Sequence, residues 1–221
     1  LMVLSRKIPV PAQLRTDTDT SRVERSFTRG QVLRDTGFYL VLPATVIAPF
    51  TVTALFFHQV AIAQAQGWSV QLLGAAFSGY ALGHLLTLFA AGSVVDRLSA
   101  GKTLPLALLP LASSLLLLGL AQGEWLAFVY LVLVGITQGL VATAGGAVWA
   151  ERYGVLHLGA IRAMTQAVMV VSTAVAPILL GILLDLGVGL TVLATGMAAA
   201  VVMVALLACI SLLRESTKGG E

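Results

Sequence analysis

TGFYLVLPATVIAPFTVTALFFHQVAIAQAQGWSVQLLGAAFSGYALGHLLTLFAAGSVV, residues 36–95, contains no Asp, Glu, Lys or Arg over 60 consecutive positions. A segment that faces water cannot dispense with charge for so long. A helix crossing the hydrocarbon core of a bilayer needs about 20 apolar residues, so the stretch holds two spans, parted by the turn signal Gln66-Gly67-Trp68. The runs are long and continuous. They lack the polar–apolar alternation over about 10 residues that a membrane strand requires, so the spans are helices.

The rest of the chain repeats this pattern. Six spans are expected, near 38–64, 71–95, 103–121, 126–150, 163–185 and 188–212. The further breaks are Asp96 to Lys102, Gln122-Gly123-Glu124-Trp125, Glu151 to Arg162 and Leu186-Gly187. The predicted class is an all-α, polytopic membrane protein. Composition agrees: 58% of residues are hydrophobic and 10% charged, against about 25% charged in a soluble domain.

The cations fix the layout. The first, third and fifth gaps hold no Lys or Arg, the second holds Arg97 and Lys102, and the fourth holds Arg152 and Arg162. Seven of the 13 basic residues precede position 35, and Arg214 and Lys218 lie in the tail. In a six-span chain every cation therefore falls on one side. Short loops rich in Lys and Arg stay in the cytoplasm, so both termini are expected there, at a cell (inner or plasma) membrane. Trp68 and Trp125 fall at the other face, where interfacial aromatics belong.

Residues 1–35 read as a cytoplasmic loop or linker. Leu1 to Leu4 resemble the last turn of a preceding helix, and a secretory signal would need a longer apolar run. Residues 214–221 read as a cytoplasmic tail. The positive charge does not form a basic patch interleaved with aromatics, which argues against a nucleic-acid partner. Cys209 is the one cysteine, so neither a disulfide framework nor a Cys/His metal site can be written. No nucleophile, zinc or phosphate-loop motif is present, and no enzyme activity or cofactor is expected.

Gly92-Ser-Val-Val-Asp96-Arg97-Leu98-Ser99-Ala100-Gly101-Lys102 joins the second and third spans. Gly92 would let a neighbouring helix approach closely, and Asp96 suits a helix N-terminus. This segment resembles the major facilitator superfamily, whose pattern between helices eight and nine is a weaker copy of Gly-x-x-x-Asp-Arg-x-Gly-Arg-Arg/Lys. Gly92, Asp96 and Arg97 match and Lys102 supplies the terminal cation one position late, while Ser99 stands at the expected glycine and Ala100 at an expected arginine. The resemblance implies that the chain is the C-terminal half of a twelve-helix transporter, built as two inverted three-helix repeats. Gly92-x-x-x-Asp96 and Gly181-x-x-x-Asp185 would be corresponding segments of those repeats. The missing partner would be a second six-helix half.

Glu151 and Arg152 resemble the charges that meet the Asp-Arg motif in that family. Gly92, Asp96, Arg97, Glu151 and Arg152 are thus the candidate cytoplasmic gate, with Asp96–Arg152 as an ion pair; anchorage of Arg152 and Arg162 at lipid head groups is the other reading. Polar residues inside a bilayer are costly and face a bundle interior or cavity. They occur as stripes on spans one, two, four and five, whereas three and six are plain. In the family the third helix of each repeat lies outside, against lipid. His58, Gln59, Gln138, His84 and Trp149 are the candidate solute or proton pathway. For His58 an interfacial histidine, and for His84 an interhelical hydrogen bond, are the structural alternatives. Pro43, Pro49 and Pro177 should bend their spans, and Gly135 and Gly139 form a Gly-x-x-x-Gly packing face.

The functional expectation is secondary active transport of a small solute, a monocarboxylate or other organic anion, coupled to a proton or another ion. No Lys or Arg is expected within the spans to neutralise such an anion. A truncated or scaffold membrane module without transport activity is the alternative.

Overall fold

The computed structural model describes residues 26–218, with side chains as far as residue 213. The expected end of a preceding helix at Leu1–Leu4 lies outside the described residues, as does the linker up to residue 25. The end of the linker, Arg29–Val32, is a single helical turn, α1. Thereafter come α2 (Thr36–Phe57), α3 (Gln59–Gln66), α4 (Val70–Leu98), α5 (Ala100–Ala107), α6 (Leu109–Leu120), α7 (Trp125–Tyr153), α8 (Leu158–Asp185) and α9 (Leu190–Lys218). Six helical stretches are long and apolar enough to cross a membrane, with α5 and α6 making up the third.

Local chemistry starts and stops these helices. Asp35 caps α2 by accepting from the Gly37 amide at 3.0 Å, and Ser69 caps α4 through the Leu72 amide at 3.1 Å, the roles expected of Asp and Ser at such positions. Gly67 closes α3 in the left-handed conformation (φ 71°). The helix α2 runs through Pro43 and Pro49 unbroken and stops at His58. The third span breaks at Leu108, between Pro105 and Pro110. A proline lacks the amide that an interior helical turn needs, and two of them five residues apart part α5 from α6.

The helix α4 lies along α7, α6 along α9, and α2 against α8 and α9, while α5 and α6 also pack on α7. The α4–α7 contact is close because glycines face backbone. A Cβ on Gly83 would sit 2.7 Å from the Val132 carbonyl oxygen, and one on Gly139 2.9 Å from that of His84. A Cβ on Gly135 would collide with the Tyr80 carbonyl oxygen. The predicted glycine face is therefore a helix–helix seam.

One expectation is corrected. The third span is the most enclosed, with 56% of its most apolar stretch buried, against 22% for α4 and 11% for α8. Its side chains Leu104, Leu108, Leu111 and Leu115 fill the core between α7 and α9. A plain apolar helix can equally face lipid or a core, so its polarity alone could not place it. Uncovered apolar side chains lie on α4 (Leu82, Leu86, Phe89), α8 (Val171, Ile178, Ile182) and α9 (Val192, Met203, Leu206).

The turns assort to two ends. The Trp68 indole donates to the Gly123 carbonyl (3.1 Å), bringing the first and third gaps together. At the other end Glu151 accepts from the amides of Ala100 (2.7 and 2.9 Å) and Gly101 (3.1 Å). Phe27 N donates to the Tyr153 carbonyl there (3.0 Å). The N-terminal segment and the second and fourth gaps, which carry the described Lys and Arg residues, therefore share one end of the bundle.

Candidate functional site: a cavity between four helices

A cavity of about 740 Å³ opens between α2, α4, α7 and α8. Its volume falls in the range of small-molecule sites. Thr45 and Pro49 come from α2, His84 from α4, Gln138, Gly145, Gly146 and Trp149 from α7, and Arg162, Thr165 and Gln166 from α8. These four helices are the spans that carry the polar stripes; α5, α6 and α9 contribute no lining residue.

Three of the five pathway candidates meet here. Gln138 faces the Tyr80 side chain across the α4–α7 seam. The His84 ring stacks on Tyr80, with centroids 5.8 Å apart, and its buried Nδ1 has no hydrogen-bond partner among the described residues. Trp149 is wedged between Phe38 (5.3 Å) and Tyr153 (6.2 Å), which holds its ring at the cavity edge.

The other two lie elsewhere. At the α2–α3 break, His58 Nδ1 donates to the Ala54 carbonyl at 3.0 Å; a carbonyl only accepts, so the tautomer follows. Its Nε2 faces Gly181 on α8, where a Cβ would sit 3.3 Å away. Gln59 is buried and donates through Nε2 to the Tyr130 hydroxyl at 2.6 Å. That bond ties α3 to α7 away from the cavity. Tyr130→Phe would leave a buried amide unsatisfied, a loss of about 1 kcal/mol. The expected result is a lower melting temperature with the solute affinity of the folded protein unchanged.

The candidate gate residues are divided. Arg152 and Tyr153 converge on Asp35. The Arg152 Nε lies 3.9 Å from Asp35 Oδ2, the Tyr153 hydroxyl donates to the same oxygen at 2.7 Å, and Arg152 Nη2 donates to Ser211 Oγ at 2.7 Å. The Arg152 guanidinium also lies against the first turn of α2, where it would meet a Cβ on Gly37. One arginine thus links α2, α7 and α9. The expected Asp96–Arg152 pair is corrected to Asp35–Arg152. Among the described residues Asp96 has no ion pair, and it and Arg97 are exposed. Gly92, expected to admit a close neighbour, has open space where a Cβ would project, whereas its counterpart Gly181 meets His58. Glu151 does serve the second gap, through the backbone amides that open α5.

Arg162 was missed as a cavity residue. It stands next to a turn, and hydropathy reads such a position as a loop end. Yet α8 begins at Leu158, and a Cβ on Gly146 of α7 would sit 2.5 Å from Arg162 Nη2. The helix of the fifth span therefore includes a cation that the expected bounds left outside it. The available signal was an arginine directly before the expected start of the fifth span, with a Gly145-Gly146 pair near the end of the fourth.

Six helices long and apolar enough to span a membrane, with a solute-sized cavity between four of them that carries polar side chains, define a polytopic helical membrane protein. The family model described as Major Facilitator Superfamily matches residues 41–221, and the chain belongs to that superfamily, whose members move small solutes across membranes. No curated protein matches it.

Proposed function

We propose that this chain is the C-terminal half of a secondary transporter that carries a small organic anion, such as a monocarboxylate, by alternating access. The observation that carries the reading is the cavity, into which polar side chains converge from spans one, two, four and five. Among its described lining residues there is one formal charge, that of Arg162, and no carboxylate. Gln138, His84 and Trp149 lie along the solute path, and a proton or another ion couples the movement. Asp35, Glu151, Arg152 and Tyr153 form the closure at the cytoplasmic end.

The exposed apolar faces of α4 and α8 suit lipid or a second six-helix half, and both flank the cavity. The cation-bearing turns sharing one end support a placement with both termini in the cytoplasm, at the cell membrane.

The test is uptake into proteoliposomes containing the whole transporter to which this half belongs, with labelled monocarboxylates and matched neutral solutes outside. Saturable accumulation that an imposed ion gradient or internal counter-solute accelerates is expected. No transport of any solute, with the protein folded and inserted, would leave the scaffold alternative standing.

A further inference from the structure

We infer that Arg162 is the anion-binding group of the cavity, and that Gly146 is glycine because the guanidinium lies against it. The inference deepens the organic-anion reading and rests on it. Arg162 makes no side-chain hydrogen bond or ion pair among the described residues. A simpler role for it would be to serve lipid head groups. Such a side chain reaches outward along its helix towards the interface.

The geometry points the other way. Gly146 lies seven residues before the end of α7 at Tyr153, about 10 Å inside that end at 1.5 Å per residue. The guanidinium is level with that glycine, in the cavity that Gln138, Trp149 and Gln166 also line. Its five N–H donors match a carboxylate in a two-pronged pair. Gln166, one turn along α8 from Arg162, supplies a neutral donor, and Gln138 a second one deeper along α7. Trp149, buried between Phe38 and Tyr153, backs this part of the cavity.

The test uses the whole transporter purified in detergent, with acetate, lactate, pyruvate and benzoate as probes and lactamide and benzamide as their uncharged counterparts. Thermal shift and tryptophan fluorescence report binding. At least one carboxylate is expected to bind saturably and its amide not. Arg162→Gln should lower the carboxylate affinity about tenfold or more, and Arg162→Lys less. Gly146→Ala should reproduce the loss at unchanged ligand-free stability, since its methyl displaces the movable tip of Arg162 and meets no backbone. Failure of every carboxylate to bind the unmodified protein would overturn the inference, as would a folded Arg162→Gln variant that binds normally.

A repeat in nanodiscs with and without phosphatidylglycerol separates the two anion sources. Loss of lipid-dependent stabilisation in Arg162→Gln, with carboxylate binding intact, would assign the guanidinium to head groups and overturn the proposal. Carboxylate binding that needs Arg162, without uptake in proteoliposomes, would uphold this site and reject transport. Equal uptake of neutral solutes by both forms would do the reverse.

Discussion

Gly135→Ala is expected to destabilise the bundle by about 3 kcal/mol, and Gly135→Val to prevent its assembly. A Cβ at this position collides with the Tyr80 carbonyl oxygen and comes within 2.8 Å of the His84 amide nitrogen. Both obstacles are helix backbone, which cannot swing aside as a side-chain tip can. The added methyl must therefore push α4 away from α7. Overpacking in a tight interior costs about 1–3 kcal/mol and occasionally more. Here the contact that opens also contains Gly83 against Val132 and Gly139 against His84 and Leu88, so several close approaches are lost together. Membrane helices associate through such packing, because lipid tails compete equally for apolar surface. Gly74→Ala and Gly196→Ala are the controls, since a Cβ at either meets nothing within 4 Å. Melting in detergent followed by circular dichroism should rank Gly135→Ala far below both; a Gly135→Ala protein as stable as the controls would show that the seam is looser than described. Because His84 and Gln138 reach the cavity from this seam, the substitution should weaken solute binding as well.

The course of the chain was readable from charge, while the site was readable only in part. Sixty residues without a formal charge demand lipid, and cations confined to alternate gaps and to both ends demand an even number of spans. Both are consequences of desolvation, which acts wherever the residue points. The contacts Trp68–Gly123 and Glu151–Ala100 gather the gaps as that argument requires. Partners were harder, because they depend on side-chain direction around a helix. His58 and Gln59 follow one another, yet Gln59 turns inward to Tyr130 and His58 towards α8. Arg152 found Asp35 rather than Asp96, since Asp35 caps α2 beside the end of α7, whereas Asp96 points outward. The depth of Arg162 required knowing which residue of α7 stood opposite. Hydropathy sees the charge but not the glycine that receives it.

The turn between α4 and α5 joins a sequence oddity to a structural strain. The superfamily pattern expects glycine where this chain has Ser99, and Ser99 is the one non-glycine described with positive φ (φ 74°, ψ 154°). That conformation is accessible almost only to glycine and costs other residues about 1–3 kcal/mol. Something must hold the turn. The next two amides, of Ala100 and Gly101, both donate to the Glu151 carboxylate, which neutralises the open N-terminus of α5 from across the bundle. Removing a capping side chain costs about 0.5–2 kcal/mol. Here the loss should lie at the upper end, near ~2 kcal/mol for Glu151→Ala, because the strained serine is released with it. Glu151→Gln keeps an acceptor without the charge and should lose about half as much. Ser99→Gly should stabilise by about 1 kcal/mol, its relief of strain exceeding the added freedom of glycine in the unfolded chain. The two changes are coupled: with glycine in place of Ser99 the turn keeps its shape unaided, so Glu151→Ala should cost less there than in the serine background. A double-mutant cycle from unfolding in mixed micelles measures this directly. Additive effects would mean that Glu151 caps α5 without restraining Ser99, and a destabilising Ser99→Gly would mean that the serine is not strained. If the coupling is found, the carboxylate that holds the second gap sits one residue from the arginine that links α2, α7 and α9. A movement of α7 would then be felt at once by α5, α2 and α9, which is how a closure at this end of the bundle can follow what occupies the cavity.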